Sequence, residues 1–205
     1  VILDGEADPD YTFEGLANLV RLARLDFGAE IAFWSESDLR RGASGFDDRV
    51  LDPKVVPSCF ASLDRLRRGS VEAETVKTES EDGAPLEEKQ YPLTVDRSRT
   101  SRAYASLATV TYANGDRSWL VYVKAALMGD EPADVIQYHR AHPDFPQEST
   151  ADQFFDEAQW ESYRQLGLRS GLRVFEGDGS DAYRQALWRT LLQGLPPGAP
   201  ASPTC

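Results

Sequence analysis

Three carboxylates crowd one short stretch near the start, Asp4, Asp8 and Asp10 in "DGEADPD". They follow an apolar run, "VIL", and α/β proteins place their sites just past strand C-termini. A calcium loop of the EF-hand type needs a bidentate Glu at its twelfth position; counted from Asp4, that position is Gly15. The calcium reading therefore fails. The plainer reading is that Asp8 and Asp10 shape turns and favour the positive end of the following helix.

His139 and His142 lie three apart in "YHRAHP". Such a pair can share a helix face and ligate a metal, with Cys59, Asp130 or Asp144 completing the set. No H-E-x-x-H, C-x-x-C or facial-triad spacing supports this. Histidines near a helix C-terminus also complement its negative dipole. We therefore expect no metal site and no cofactor. Serine hydrolysis calls for a nucleophile on a strained turn, usually G-x-S-x-G. The chain has none, and "GASG" at residues 42–45 lacks the middle residue. No P-loop or G-x-G-x-x-G is present either.

The elements that must carry these residues follow from periodicity. "VILD" reads as a strand. Phe13, Leu16, Ala17, Val20, Ala23 and Phe27 recur at helical spacing, with Thr12 as the expected N-cap and Gly28 ending the helix. "AEIAFW" is a second strand, so the pattern is βαβ with a partly parallel sheet. "RAYASLATVTY" and "RSWLVYVKAAL" form a hairpin around Asn114-Gly115, both expected at positive φ. A short helix follows between Pro132 and Pro143. A longer one is expected in "STADQFFDEAQWESYRQLG", capped by Thr150 and Gln153 and ended by Gly167, with Phe155, Ala158, Ser162 and Leu166 buried. A last helix is expected over 180–193.

Residues 35–101 are less regular, and the acidic stretch within 72–98 reads as a mobile insertion. The domain reading is a main unit over 1–167, a helical extension over 168–194 and a disordered Pro-rich tail over 195–205.

Composition narrows the function classes. The chain has 205 residues, 41% hydrophobic and 27% charged, with net charge −12. That length can bury a sizeable core. The negative charge argues against a phosphate backbone or an anionic membrane surface as partner. No apolar run approaches the ~20 residues of a membrane span. Cys59 and Cys205 read as reduced thiols in a cytoplasmic setting. The opening on "VILD", inside a strand, leads us to expect a fragment.

Three blocks together carry a family resemblance: "LDGEADPDYTFEGLANLVRLARLDFGAEI", "LVYVKAALMGDEPADVIQYHRAHPDFP" and "ESTADQFFDEAQWESYRQLG". They resemble the C-terminal part of bacterial patatin-like phospholipases related to cytosolic phospholipase A. The resemblance covers most of residues 1–167. It implies an α/β fold, the C-terminal portion of a three-layer acyl hydrolase with an added antiparallel hairpin and C-terminal helices. It implies hydrolysis of lipid acyl esters by a Ser–Asp dyad lying upstream of Val1, so this chain alone would be inactive. Asp4, in Asp4-Gly5-Glu6, is the one candidate for the family's D-G-G/A aspartate, but Glu6 stands where a small residue belongs. Phe145, Phe154, Phe155 and His142 are the expected acyl-pocket or loop residues. The partner is then a lipid or acyl ester, not nucleic acid, with any membrane contact made through the missing part. The alternative is a non-catalytic interaction or regulatory module derived from that family.

Overall fold

The computed structural model describes residues 1–41, 59–67, 100–151 and 154–176. The expected insertion, the last helix and the tail lie outside these residues, as do Cys205 and Gln153. The described chain is a mixed α/β unit. Four strands, β1 (Ile2–Asp4), β2 (Glu30–Phe33), β3 (Ala105–Thr111) and β4 (Arg117–Lys124), form one sheet in the order β1-β4-β3-β2. The helices are α1 (Glu14–Phe27), α2 (Glu36–Arg41), α3 (Leu63–Leu66), α4 (Ala133–Ala141) and α5 (Glu157–Phe175).

β1 and β2, joined by α1, are not neighbours. The β3–β4 hairpin sits between them, pairing antiparallel within itself and with β2, while β1 pairs parallel with β4. The period-2 pattern sorts side chains to two faces. Tyr122, Ile2 and Phe33 join Phe13 and Leu16 of the α1 region on one face. Val121, Val123, Leu107 and Ala105 pack with Trp34, Leu39 and Val174 on the other. Helices thus cover both faces: α1 one, α2 and the end of α5 the other. Phe60 bridges Ala105 in parallel, continuing the edge where β2 stops.

Several local expectations need correction. Thr12 does not cap α1. The Asp8 carboxylate reaches forward to the backbone N–H groups of Thr12 and Phe13, each at 2.8 Å. Phe13 itself takes the left-handed region, φ 57°. Only part of the expected α1 face is buried: Leu16 is 6% exposed but Phe27 is 76% exposed. In the hairpin turn only Gly115 has positive φ, 86°, because the Asn114 side chain instead accepts the Asp116 N–H at 3.0 Å. Residues around 35 are not loop-like, since Ser35 and Asp38 cap α2 reciprocally through backbone N–H groups.

α5 starts seven residues after Thr150, capped by Asp156, which accepts the Gln159 N–H at 2.7 Å. It runs straight through Gly167, and its buried line is Ser162, Leu166, Ser170 and Val174. Phe155 and Ala158 are exposed because the helix begins later than the capping motif implies. α5 is held by Arg169 and Arg173, which reach Asp130 at 2.5 and 3.5 Å.

Gly28 ends α1 as expected, with φ 59° and its N–H directed to Ala23 and Arg24 carbonyls. A Cβ there would meet the Ala113 Cβ at 3.2 Å. Gly28→Ala should cost about 1–2 kcal/mol from the left-handed backbone alone, read as a lower urea midpoint with unchanged slope. A midpoint shift under a few tenths of a molar would refute this.

Candidate functional site

Polar side chains gather where β1 and β4 end together. Asp4 and Lys124 are direct partners in the parallel register. Leu120, Tyr122 and Lys124 share one face of β4 by period 2, so an apolar strand delivers a lysine into the interior. Lys124 is 1% exposed. Its Nζ donates to Asp4 Oδ2 at 3.1 Å, stands 3.7 Å from Asp8 Oδ2, and lies over the Tyr11 and Phe13 rings. The Tyr122 hydroxyl donates a short bond to the same Asp4 oxygen. Burial, and then that bonded carboxylate, push the phenol well above its ordinary pKa, so it remains a donor. Burial alone would raise the Asp8 pKa. The N–H groups of Phe13 and Thr12, the Thr12 hydroxyl and the Lys124 charge outweigh it and hold the carboxyl below its usual range.

Gln147 extends the network. It accepts the Asp8 N–H at 3.0 Å and donates to the Ala125 carbonyl at 2.7 Å. This pins the 142–148 segment against the start of the chain.

The next residue, Glu148, faces a surface cleft of about 190 Å³. Phe155, Trp160 and Tyr163 provide its aromatic walls, and Gly5, just past β1, lies at its edge. The Glu148 carboxylate accepts the Tyr138 hydroxyl at 3.0 Å and the Gln159 amide at 3.2 Å, one on each oxygen. Burial raises the Tyr138 and Tyr163 pKa values, and the Glu148 carboxylate adds to both shifts. The cleft is therefore apolar-walled and negatively charged.

The expected site residues separate. Phe155 lines the cleft. Phe145 is fully buried, packed edge-on against Tyr138 and Tyr163 beneath it. Phe154 is 93% exposed. His142 stacks on Tyr138 with centroids 4.0 Å apart and lines a neighbouring hollow that shares Glu148 and Ser149 with the cleft. Asp4 is tied to Lys124 and Tyr122, which makes it an anchor for β1 more than a free base. His139 is buried and its Nδ1 meets the Phe145 carbonyl at 3.0 Å. Among the described residues no group of three His, Cys, Asp or Glu is placed to hold an ion. Cys59 is buried, and its thiol donates to the Arg173 carbonyl. No helix among the described residues is long and apolar enough to cross a membrane.

Tyr122, Lys124, Gln147 and Glu148 were not singled out by sequence motifs. The lysine within "LVYVKAAL" was the available signal, because the alternation of that strand aims it inward. Comparison with protein-family models, curated proteins and solved structures finds no match for this chain.

Proposed function

We propose that this chain forms the C-terminal part of a patatin-like lipid acyl hydrolase and supplies framework and pocket wall to a Ser–Asp dyad carried upstream. The observation that carries this reading is the open edge of β1. β1 is one of the two edge strands among the described residues, and its Leu3 is 75% exposed although its register partner Val123 is buried. An open strand edge calls for a neighbour. Further strands of an acyl-hydrolase core, docked beyond β1, would pair that edge and cover Leu3. The family assignment itself rests on the three sequence blocks.

In the whole enzyme the Ser would attack the ester carbonyl, the Asp would take its proton, and backbone N–H groups would hold the oxyanion. Lys124, Asp4 and Asp8 would keep β1 and its following loop in place beside that site.

The test is to read the frame upstream of the Val1 codon and express the whole protein. We expect G-x-S-x-G followed by D-G-G or D-G-A, and p-nitrophenyl ester hydrolysis abolished when the motif Ser is replaced by Ala. A start codon immediately before Val1, or an upstream frame without either motif, would overturn the reading.

A further inference from the structure

We propose that the cleft between Glu148 and the Phe155–Trp160–Tyr163 walls binds a quaternary ammonium group. This inference does not depend on the acyl-hydrolase reading and concerns binding alone.

The walls come first. Trp160 is 65% exposed and Phe155 51%, yet both line one concave site with Tyr163. Aromatic faces attract cations through their quadrupoles, and Trp does so best. An apolar cleft alone would not select a cation from a hydrocarbon, so the charge decides. Glu148 supplies a carboxylate at the cleft, and no basic side chain among the described residues lines it. Glu148 also makes no ion pair among the described residues. The chain as a whole carries −12, which adds to the attraction.

The hydrogen bonding then narrows the kind of cation. Each Glu148 oxygen already accepts a bond, from Tyr138 and from Gln159. A primary ammonium carries three N–H donors, each needing an acceptor. Each oxygen of the carboxylate has already given up one acceptor site, and beyond Ser149, Thr150 and Gln159 the side chains that line the cleft are rings. A quaternary ammonium has no N–H to satisfy. It needs only negative potential and polarisable faces, which this cleft offers.

The experiment is calorimetric titration of the full chain with choline and with tetramethylammonium, against 3,3-dimethylbutan-1-ol, the uncharged isostere of choline. We expect both cations to bind and the isostere to bind about tenfold more weakly or not at all. Trp160→Ala should weaken choline binding roughly five- to thirtyfold. Its side chain is mostly exposed, so far-UV CD and the urea midpoint should stay close to wild type. Glu148→Gln keeps an acceptor for Tyr138 and should also weaken choline, while leaving the isostere unchanged. Equal binding of the isostere, unchanged affinity in Trp160→Ala, or no saturation by either cation would each overturn the proposal. Co-sedimentation with phosphatidylcholine and phosphatidylglycerol vesicles separates the sources. Choline-competed binding to the first alone assigns a lipid headgroup, and binding of soluble choline without vesicle binding assigns a free solute; either upholds the site.

Discussion

Lys124→Met lowers the stability of the folded chain by about 3–5 kcal/mol, the usual cost of removing one partner from a buried ion pair. The reason is what remains. Asp4 and Asp8 have side chains only 12% and 8% exposed. Without the ammonium two carboxylates face each other across the same small volume, with the Tyr122 phenol as donor to only one of them. Methionine fills the space of the lysine stem, so the loss reports charge more than cavity. The Lys124→Met/Asp4→Asn double variant should recover part of it, because one uncompensated charge is gone. Urea unfolding followed by far-UV CD gives the numbers. A loss below about 1 kcal/mol, the worth of an ordinary neutral hydrogen bond, would mean that water reaches this cluster and that it does not organise the strand ends.

Such a cluster shows how much was legible in advance. Both outer strands, the α1 stretch, the hairpin and the Pro-bounded helix follow from periodicity, because each buries a face that repeats at 2 or 3.6 residues. The Gly28 stop was legible because a left-handed residue ends a helix most readily as glycine. What escaped was set by contacts distant in sequence. Asp8, not Thr12, fastens the lead-in to α1, because the loop folds back on itself. The insertion of β3 and β4 between β1 and β2 depends on pairing of β1 with β4 across 120 residues and of β2 with β3 across 75 to 81. The start of α5 was misplaced because T-x-x-Q and Asp156 both satisfy local capping rules, and packing of Leu166 and Val174 selects the later start. At the cleft, Phe155 was legible as an aromatic near a loop. Glu148 was not, since only the fold brings Tyr138 and Gln159 to its two oxygens.

Asp8→Ala is the second large effect, about 2–4 kcal/mol, combining the lost hydrogen bonds to the lead-in of α1 with a buried ammonium deprived of one carboxylate. Tyr11 and Phe13 both hold positive φ, 50° and 57°, a region that non-glycine residues seldom adopt. The Asp8 carboxylate fastens this stretch by three bonds, from the Thr12 N–H, the Thr12 hydroxyl and the Phe13 N–H. Removing it lets the strained segment relax away from the helix start. The same geometry fixes a pH dependence. The folded Asp8 pKa lies below its ordinary value of 3.8. Between the two values the unfolded chain binds more protons than the folded one, so stability rises with pH there. The Asp8 contribution is therefore whole above the ordinary value and is lost as pH falls through the folded one. Asp8→Asn, which keeps an acceptor but cannot titrate, should show a shallower loss of stability over that acid range than wild type. Parallel acid-unfolding curves for the two proteins would show that this carboxyl titrates alike in the folded and unfolded chain, and the account of Asp8 as the fastening of the α1 lead-in would fall with it.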